Sequence, residues 1–162
     1  MHGTPGSVLI SHDRRRILHF NVSRHPTSSW IVQQLREAFP YDAAPEFLVF
    51  DHDAKYGFAV PAAIRSLKIT PVRTSMGCPW QNGVAERWVE SCRRDLLGQV
   101  IALNERHLRR LLAEYISYYH DDRTHLGLGK HTPGGRSPSL PHGRVITRAR
   151  LGGLHHRYDR AA

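Results

Sequence analysis

The sequence is poor in cysteine. Only Cys78 and Cys92 occur in 162 residues, and they form no Cys-x-x-Cys pair. That argues against a disulfide framework and against zinc-finger spacing, and it points to a reducing, intracellular compartment. Long apolar runs are lacking as well. None approaches the roughly 18 residues of a membrane span, and the opening Met-His-Gly-Thr-Pro-Gly-Ser carries no secretory signal pattern. A cytoplasmic, nucleoid-associated protein is the expectation. Acids are in deficit: 14 Asp and Glu stand against 23 Lys and Arg, for a net charge of +9 and a pI near 10.2. Such a surplus favours a polyanionic partner, which it attracts through a long-range field and counterion release. The 12 histidines add positive charge below neutral pH.

What is present is a chain of one-domain length, with 40% apolar residues and 9% aromatics, enough to bury a core. Val8–Ile10 and Ile17–Val22 read as two strands of a hairpin, joined by the polar Ser11–Arg15. His25-Pro26-Thr27-Ser28 reads as a helix start, and Trp30, Ile31, Leu35 and Phe39 then follow helical spacing up to Pro40. Phe47–Phe50 is a compact apolar run of the kind that makes a buried strand ending at Asp51. Pro61–Leu67 suits a short helix and Lys68–Val72 a strand. Thr74–Asn82, with Gly77 and Pro79, reads as a loop. A helix is predicted from Val84 to about Val100. Asn104 can cap another, whose stripe is Leu108, Leu111, Leu112, Tyr115, Ile116 and Tyr119. Past Asp121 the chain is rich in Gly, Pro and His through Pro141. Gly143–Arg160 is basic, either a tail or a small hairpin.

Two acids stand out by position. Asp51 follows the apolar run, and Glu86 falls near the start of a predicted helix. Carboxylates that converge from a strand end and a helix onto one point suit hard cations such as Mg²⁺, which prefer oxygen ligands. Two such ions can stabilise both oxygens of an in-line phosphoryl displacement. Each acid alone has an ordinary reading. An Asp after a strand makes turns and caps, and a Glu in a first helical turn suits the helix dipole. Asp53 is a near rival to Asp51.

The wording around the acids carries more. Phe50-Asp51-His52-Asp53-Ala54-Lys55-Tyr56-Gly57 and Pro79-Trp80-Gln81-Asn82-Gly83-Val84-Ala85-Glu86-Arg87-Trp88 resemble the blocks around the second and third acids of retroviral-type integrases and bacterial insertion-sequence transposases, the DDE class. Tyr119-His120-Asp121-Asp122-Arg123-Thr124-His125-Leu126 resembles that family's tail block, with Thr124 where Pro is usual. Arg14-Arg15-Arg16-Ile17 and His25-Pro26-Thr27-Ser28-Ser29-Trp30 are similar to a bacterial subgroup. The likeness covers roughly residues 8 to 135. It implies an α/β, ribonuclease H-like mixed sheet with flanking helices, and DNA cutting and joining without a covalent enzyme intermediate. By resemblance, Asp51 and Glu86 are catalytic and hold Mg²⁺ or Mn²⁺ in a two-ion arrangement. The Thr74–Asn82 loop, with Gln81 and Asn82, would lie beside the scissile strand. Arg93 and Arg94 become candidate phosphate contacts, and Lys55 and Arg73 weaker ones, although each also suits a solvated surface. The implied partners are mobile-element ends and target DNA, and a homo-oligomer.

In that family the first acid lies on a central first strand. Here seven residues precede Val8 and none is acidic, and Asp13 sits in the hairpin turn. The expected fold is therefore a catalytic core-like domain over residues 1–135, without its first strand, followed by a basic tail over 136–162. Two other functions stay open at this point. One is a catalytically inactive remnant that binds DNA or a sister subunit. The other is a basic nucleic-acid-binding module whose acids only cap helices. His155-His156 has no evident partner ligand and reads as polar tail. Tyr118 is the tyrosine outside the apolar stripe and free to stack on a base.

Overall fold

The computed structural model describes residues 6–40, 44–137 and 142–161. The opening Met1–Pro5 and the 138–141 end of the Gly- and Pro-rich stretch lie outside them. The chain is mixed α/β, and its described strands pair two by two into three small sheets. It divides into two compact units. One holds the chain through Ile10 and Ile17–Glu90; the other holds Ser11–Arg16 and Ser91 onward. No helix among the described residues is long and apolar enough to cross a membrane.

In the first unit, β1 (Ser7–Ile10) and β2 (Ile17–Asn21) form the antiparallel hairpin read from the sequence. Helix α1 (Ser28–Ala38) follows, with Thr27 as its cap: the Thr27 hydroxyl accepts from the Trp30 N–H at 3.2 Å. Its buried Gln34 is satisfied by β2, accepting from Asn21 Nδ2 at 2.7 Å and lying 2.9 Å from His19 Nε2. Strand β3 (Phe47–Phe50), helix α2 (Ala59–Ser66) and strand β4 (Thr70–Arg73) make a β-α-β unit whose strands run parallel. Parallel strands need a crossover, and α2 supplies it. Lys68 turns the chain from α2 into β4 in the left-handed region, with φ of 62°, so the strand begins at Thr70, later than its composition suggests. Ile31, Leu35, Phe39, Phe50, Val60, Ile64 and Ile69 close into one core cluster.

Helix α3 (Gly83–Cys92) runs from the first unit into the second and continues through a π turn, Arg93–Leu97. There the Gly98 N–H reaches back to the Arg93 carbonyl at 2.7 Å, ending the helix three residues before the predicted Val100. Helix α4 (Glu105–Asp121) carries the expected cap and stripe: Asn104 Oδ1 accepts from the His107 N–H at 2.8 Å, and Leu108, Leu112, Tyr115 and Tyr119 are buried. Strands β5 (Val145–Arg150) and β6 (His155–Arg160) form an antiparallel hairpin.

Two acids with largely covered side chains organise this second unit. Asp95 accepts from Tyr115 Oη at 3.2 Å and from Arg123 Nε at 3.0 Å. The Asp122 carboxylate is ion-paired with Arg136, Arg150 and Arg157. Arg14, from the Ser11–Arg16 segment, donates to the carbonyls of Pro133 at 3.1 Å and Thr132 at 3.0 Å. Tyr118, free on the sequence pattern, stacks on His155 with ring centroids 4.7 Å apart.

Two outcomes test this packing. Ile64 is wholly buried in the first core, so Ile64→Ala is expected to cost about 2–5 kcal/mol and Ile64→Val about 0.5–1.5 kcal/mol in urea denaturation. His125 is buried edge-on to Tyr119. Burial first, then Arg123 and Arg15, push its pKa down to about 4 from 6.5. Between those values the unfolded chain takes a proton that the folded one refuses, so stability falls as pH drops from 6.5 toward 4. The urea midpoint of His125→Phe, which cannot titrate there, should fall less steeply across that window.

Candidate functional site

The end of β3 is fixed by its partner strand. Thr74, the residue after β4, donates its N–H to the Phe50 carbonyl at 3.0 Å, and its buried hydroxyl accepts from the His52 N–H at 3.2 Å. The backbone on both sides of Asp51 is therefore held, and Asp51 emerges half-buried at the carboxyl edge of the parallel pair. Carboxyl edges of parallel strands are where open α/β sheets take ligands.

Asp51 and Asp53 are separated by their partners. The Asp53 carboxylate accepts from the Lys55 N–H and pairs with Lys55 Nζ, each at 2.9 Å. The backbone bond first, then the Lys55 side chain, hold its pKa below the usual carboxylate value. Burial is the largest single influence and would lower the Lys55 pKa, but the bond to Asp53 together with the charges of Tyr56, Asp53 and Asp51 outweighs it, and the pKa is raised. Asp53 thus closes the 3₁₀ turn Ala54–Tyr56 that follows it. Asp51 instead accepts one hydrogen bond, from Asn82 Nδ2 at 3.0 Å.

That bond brings the two sequence blocks together. Asn82 ends a 3₁₀ turn, Pro79–Asn82, which leads directly into α3. Glu86 lies in the first turn of α3, exposed, with no hydrogen bond or ion pair among the described residues. The loop before it is pinned by Gln81, whose Oε1 accepts from the Ser75 N–H at 2.6 Å and whose Nε2 lies 3.4 Å from Ser75 Oγ. Met76 and Trp80 on this loop are 79% and 72% exposed, which leaves apolar surface facing solvent beside the acids' blocks.

The remaining candidates have distinct placements. Lys55 is engaged with Asp53, and Arg73 lies over the Phe50 ring at 5.5 Å. Arg93 and Arg94 are exposed on the π turn of the second unit, where Arg94 Nε reaches Asp95 Oδ1 at 3.2 Å. Sequence reasoning passed over Thr74, whose clue is a hydroxyl residue just past a strand end. It also passed over Phe58 and Arg65, which carry no motif. Among the described residues no group of three or more His, Cys, Asp or Glu is arranged to hold a metal.

Residues 67–133 match the family model of the integrase core domain. This span contains Glu86 and the Tyr119–Leu126 block; Asp51 precedes it. The resemblance carried by the sequence blocks is therefore met over this span, which is similar to an integrase core domain. No curated protein matches. Among solved structures, the chain is similar to one in the simian T-cell lymphotropic virus intasome in complex with PP2A regulatory subunit B56 gamma. The identity is 16%, the TM-score 0.47, and the match covers 88% of this chain and 54% of that one. This chain thus spans about half the length of the solved chain it matches.

The loop clamp is testable alone. In Gln81→Ala the Ser75 amide loses its acceptor, worth about 0.5–1.5 kcal/mol. Its hydrogen exchange should quicken severalfold with little change in global stability, while Gln81→Glu, which keeps an acceptor, should retain protection.

Proposed function

We propose that this chain is the catalytic core part of an integrase- or transposase-type protein that cuts and joins DNA, with Asp51 and Glu86 as its acids. The observation that carries this reading is the 3.0 Å bond from Asn82 to Asp51, which ties the block of the second acid to the block of the third. The fold in this reading is ribonuclease H-like. The β-α-β unit is the part that presents Asp51, residues 1–135 are the core, and 136–162 are a basic appendage.

The donors suit a divalent ion in kind. Asp51 and Glu86 offer carboxylate oxygens, and Mg²⁺ or Mn²⁺ commonly takes one or two carboxylates with water and substrate phosphates completing its shell. Bound there, the ion would neutralise charge on the oxygens of the phosphodiester under attack. The protein's own share is orientation. Thr74 fixes the backbone beside Asp51, Asn82 engages one oxygen of Asp51 and leaves the other for a ligand, and Gln81 keeps the Ser75–Asn82 loop closed. Arg93, Arg94, Lys55 and Arg73 are proposed phosphate contacts, with DNA as substrate and a homo-oligomer as the working assembly.

A second reading rests on the net charge of +9, which suits a nucleic-acid partner whether or not the acids act. It assigns the chain DNA or sister-subunit binding without cutting. Nicking and strand transfer on an oligonucleotide duplex with Mg²⁺ or Mn²⁺ separate the two. The first reading expects activity that falls to background in Asp51→Asn and in Glu86→Gln, with DNA binding retained. Activity undiminished in both variants would remove these acids from the reaction. Salt-dependent binding without any nicking would select the second reading.

A further inference from the structure

The first unit holds a cavity of about 630 Å³ beside Asp51, with Phe50, His52, Asp53, Phe58, Arg65 and Arg73 among its lining residues. We infer that it holds one nucleotide of a DNA strand, with the phosphate on Arg65 and Arg73 and the base against Phe58. This deepens the reading of Asp51 as a DNA-cutting residue, since both neighbours of Asp51 line the cavity.

Charge is the first argument. Neither Arg65 nor Arg73 has a carboxylate partner among the described residues, whereas the one acid of the lining, Asp53, is already neutralised by Lys55 at 2.9 Å. The cavity therefore carries two uncompensated guanidinium groups. The Arg73 guanidinium lies over the Phe50 ring at 5.5 Å, a contact made without a hydrogen-bond acceptor. That leaves the in-plane N–H donors, whose fork suits phosphate oxygens.

Phe58 is the second argument. It is 97% exposed, the most exposed large apolar side chain of the described residues, and it stands directly before α2 at the cavity wall. A simple anion would use the arginines and gain nothing from Phe58. A nucleotide uses both, because every base presents a flat face that stacks on an aromatic ring. The volume lies within the roughly 300–1,000 Å³ of ordinary ligand clefts, and the chain's net charge of +9 suits a polyanionic strand over an acidic peptide.

The test uses the full chain in EDTA, so that no metal contributes, with a fluorescein-labelled 12-nucleotide single strand read by anisotropy across a KCl series. Arg65→Ala and Arg73→Ala should each weaken binding and each flatten the salt slope by about 0.7. Arg65→Lys should keep the slope. Phe58→Ala should weaken binding by about fivefold or more with the salt slope unchanged, and Phe58→Trp should restore it. All three positions are exposed, so loss of folding does not obscure the result. An unaltered salt slope in the Arg65→Ala/Arg73→Ala double variant would overturn the inference. So would an abasic strand that binds as tightly as the base-bearing one. Binding that follows these expectations while the parent never nicks DNA keeps the cavity and removes the cutting. Nicking by the parent with cavity variants that bind normally does the reverse.

Discussion

The parallel pairing of β3 with β4 is the constraint on which the candidate site depends. Phe47, Leu48, Val49 and Phe50 lie opposite Thr70, Pro71, Val72 and Arg73, and a tight turn cannot join strands that run the same way. The chain must leave β3, cross over and return. It leaves at Asp51 and returns to Thr74 at the same edge, so one turn-prone segment and one loop start side by side. The Thr74 bonds to Phe50 and His52 extend the pairing past the last strand residues. Without that extension the backbone at Asp51 would be free to rotate, and the reach of Asn82 would have no fixed target.

Net charge identifies a partner class but does not map a binding surface. Three of the arginines are spent on Asp122, and Arg123 on Asp95. Burying a carboxylate is costly unless it is paired, and removing one side of such a cluster is strongly unfavourable. Those cations therefore hold the second unit together and are poorly placed to trade partners for phosphate. Arg65 and Arg73, in a sequence with no basic run around them, are the ones left uncompensated in a concavity. Arg73 was already a candidate on the sequence, whereas Arg65 emerges only from the fold.

Elements whose physics is local were legible. The α4 stripe and its Asn104 cap, the β1–β2 hairpin and the extent of β3 each follow from spacing and one or two end residues, although the run expected to be buried buries only Phe50 and leaves Phe47 54% exposed. The motif blocks led to the integrase core domain, and the match over residues 67–133 covers those of Glu86 and Tyr119–Leu126. Illegible were features decided by distant partners. Lys68 enters a left-handed conformation that its sequence does not advertise. The π turn at Arg93–Leu97 leaves no mark on periodicity until Gly98 closes it. Nothing in the sequence around Asp122 announces its partners, and only the fold brings Arg136, Arg150 and Arg157 to it. Tyr118 was free on the pattern and is taken by His155, 37 residues further along.

The choice between Asp51 and Asp53, which apolar context alone left close, turns on what each would give up to bind a ligand. Asp53 would surrender a charge-assisted backbone bond, worth about 1.5–3 kcal/mol, and an exposed ion pair worth up to about 1 kcal/mol. Those interactions also close the turn that sets Tyr56 edge-on against Phe50, with centroids 5.4 Å apart in the first core. Asp51 gives up less: Asn82 engages Oδ1 alone, so a ligand can approach the other oxygen with that bond intact. The same bond then becomes an asset, because it fixes the carboxylate's rotation before a ligand arrives and removes that ordering cost from binding. An acid already committed to the fold and an acid held but still open are two residues apart, and the Thr74 and Asn82 contacts are what make the difference.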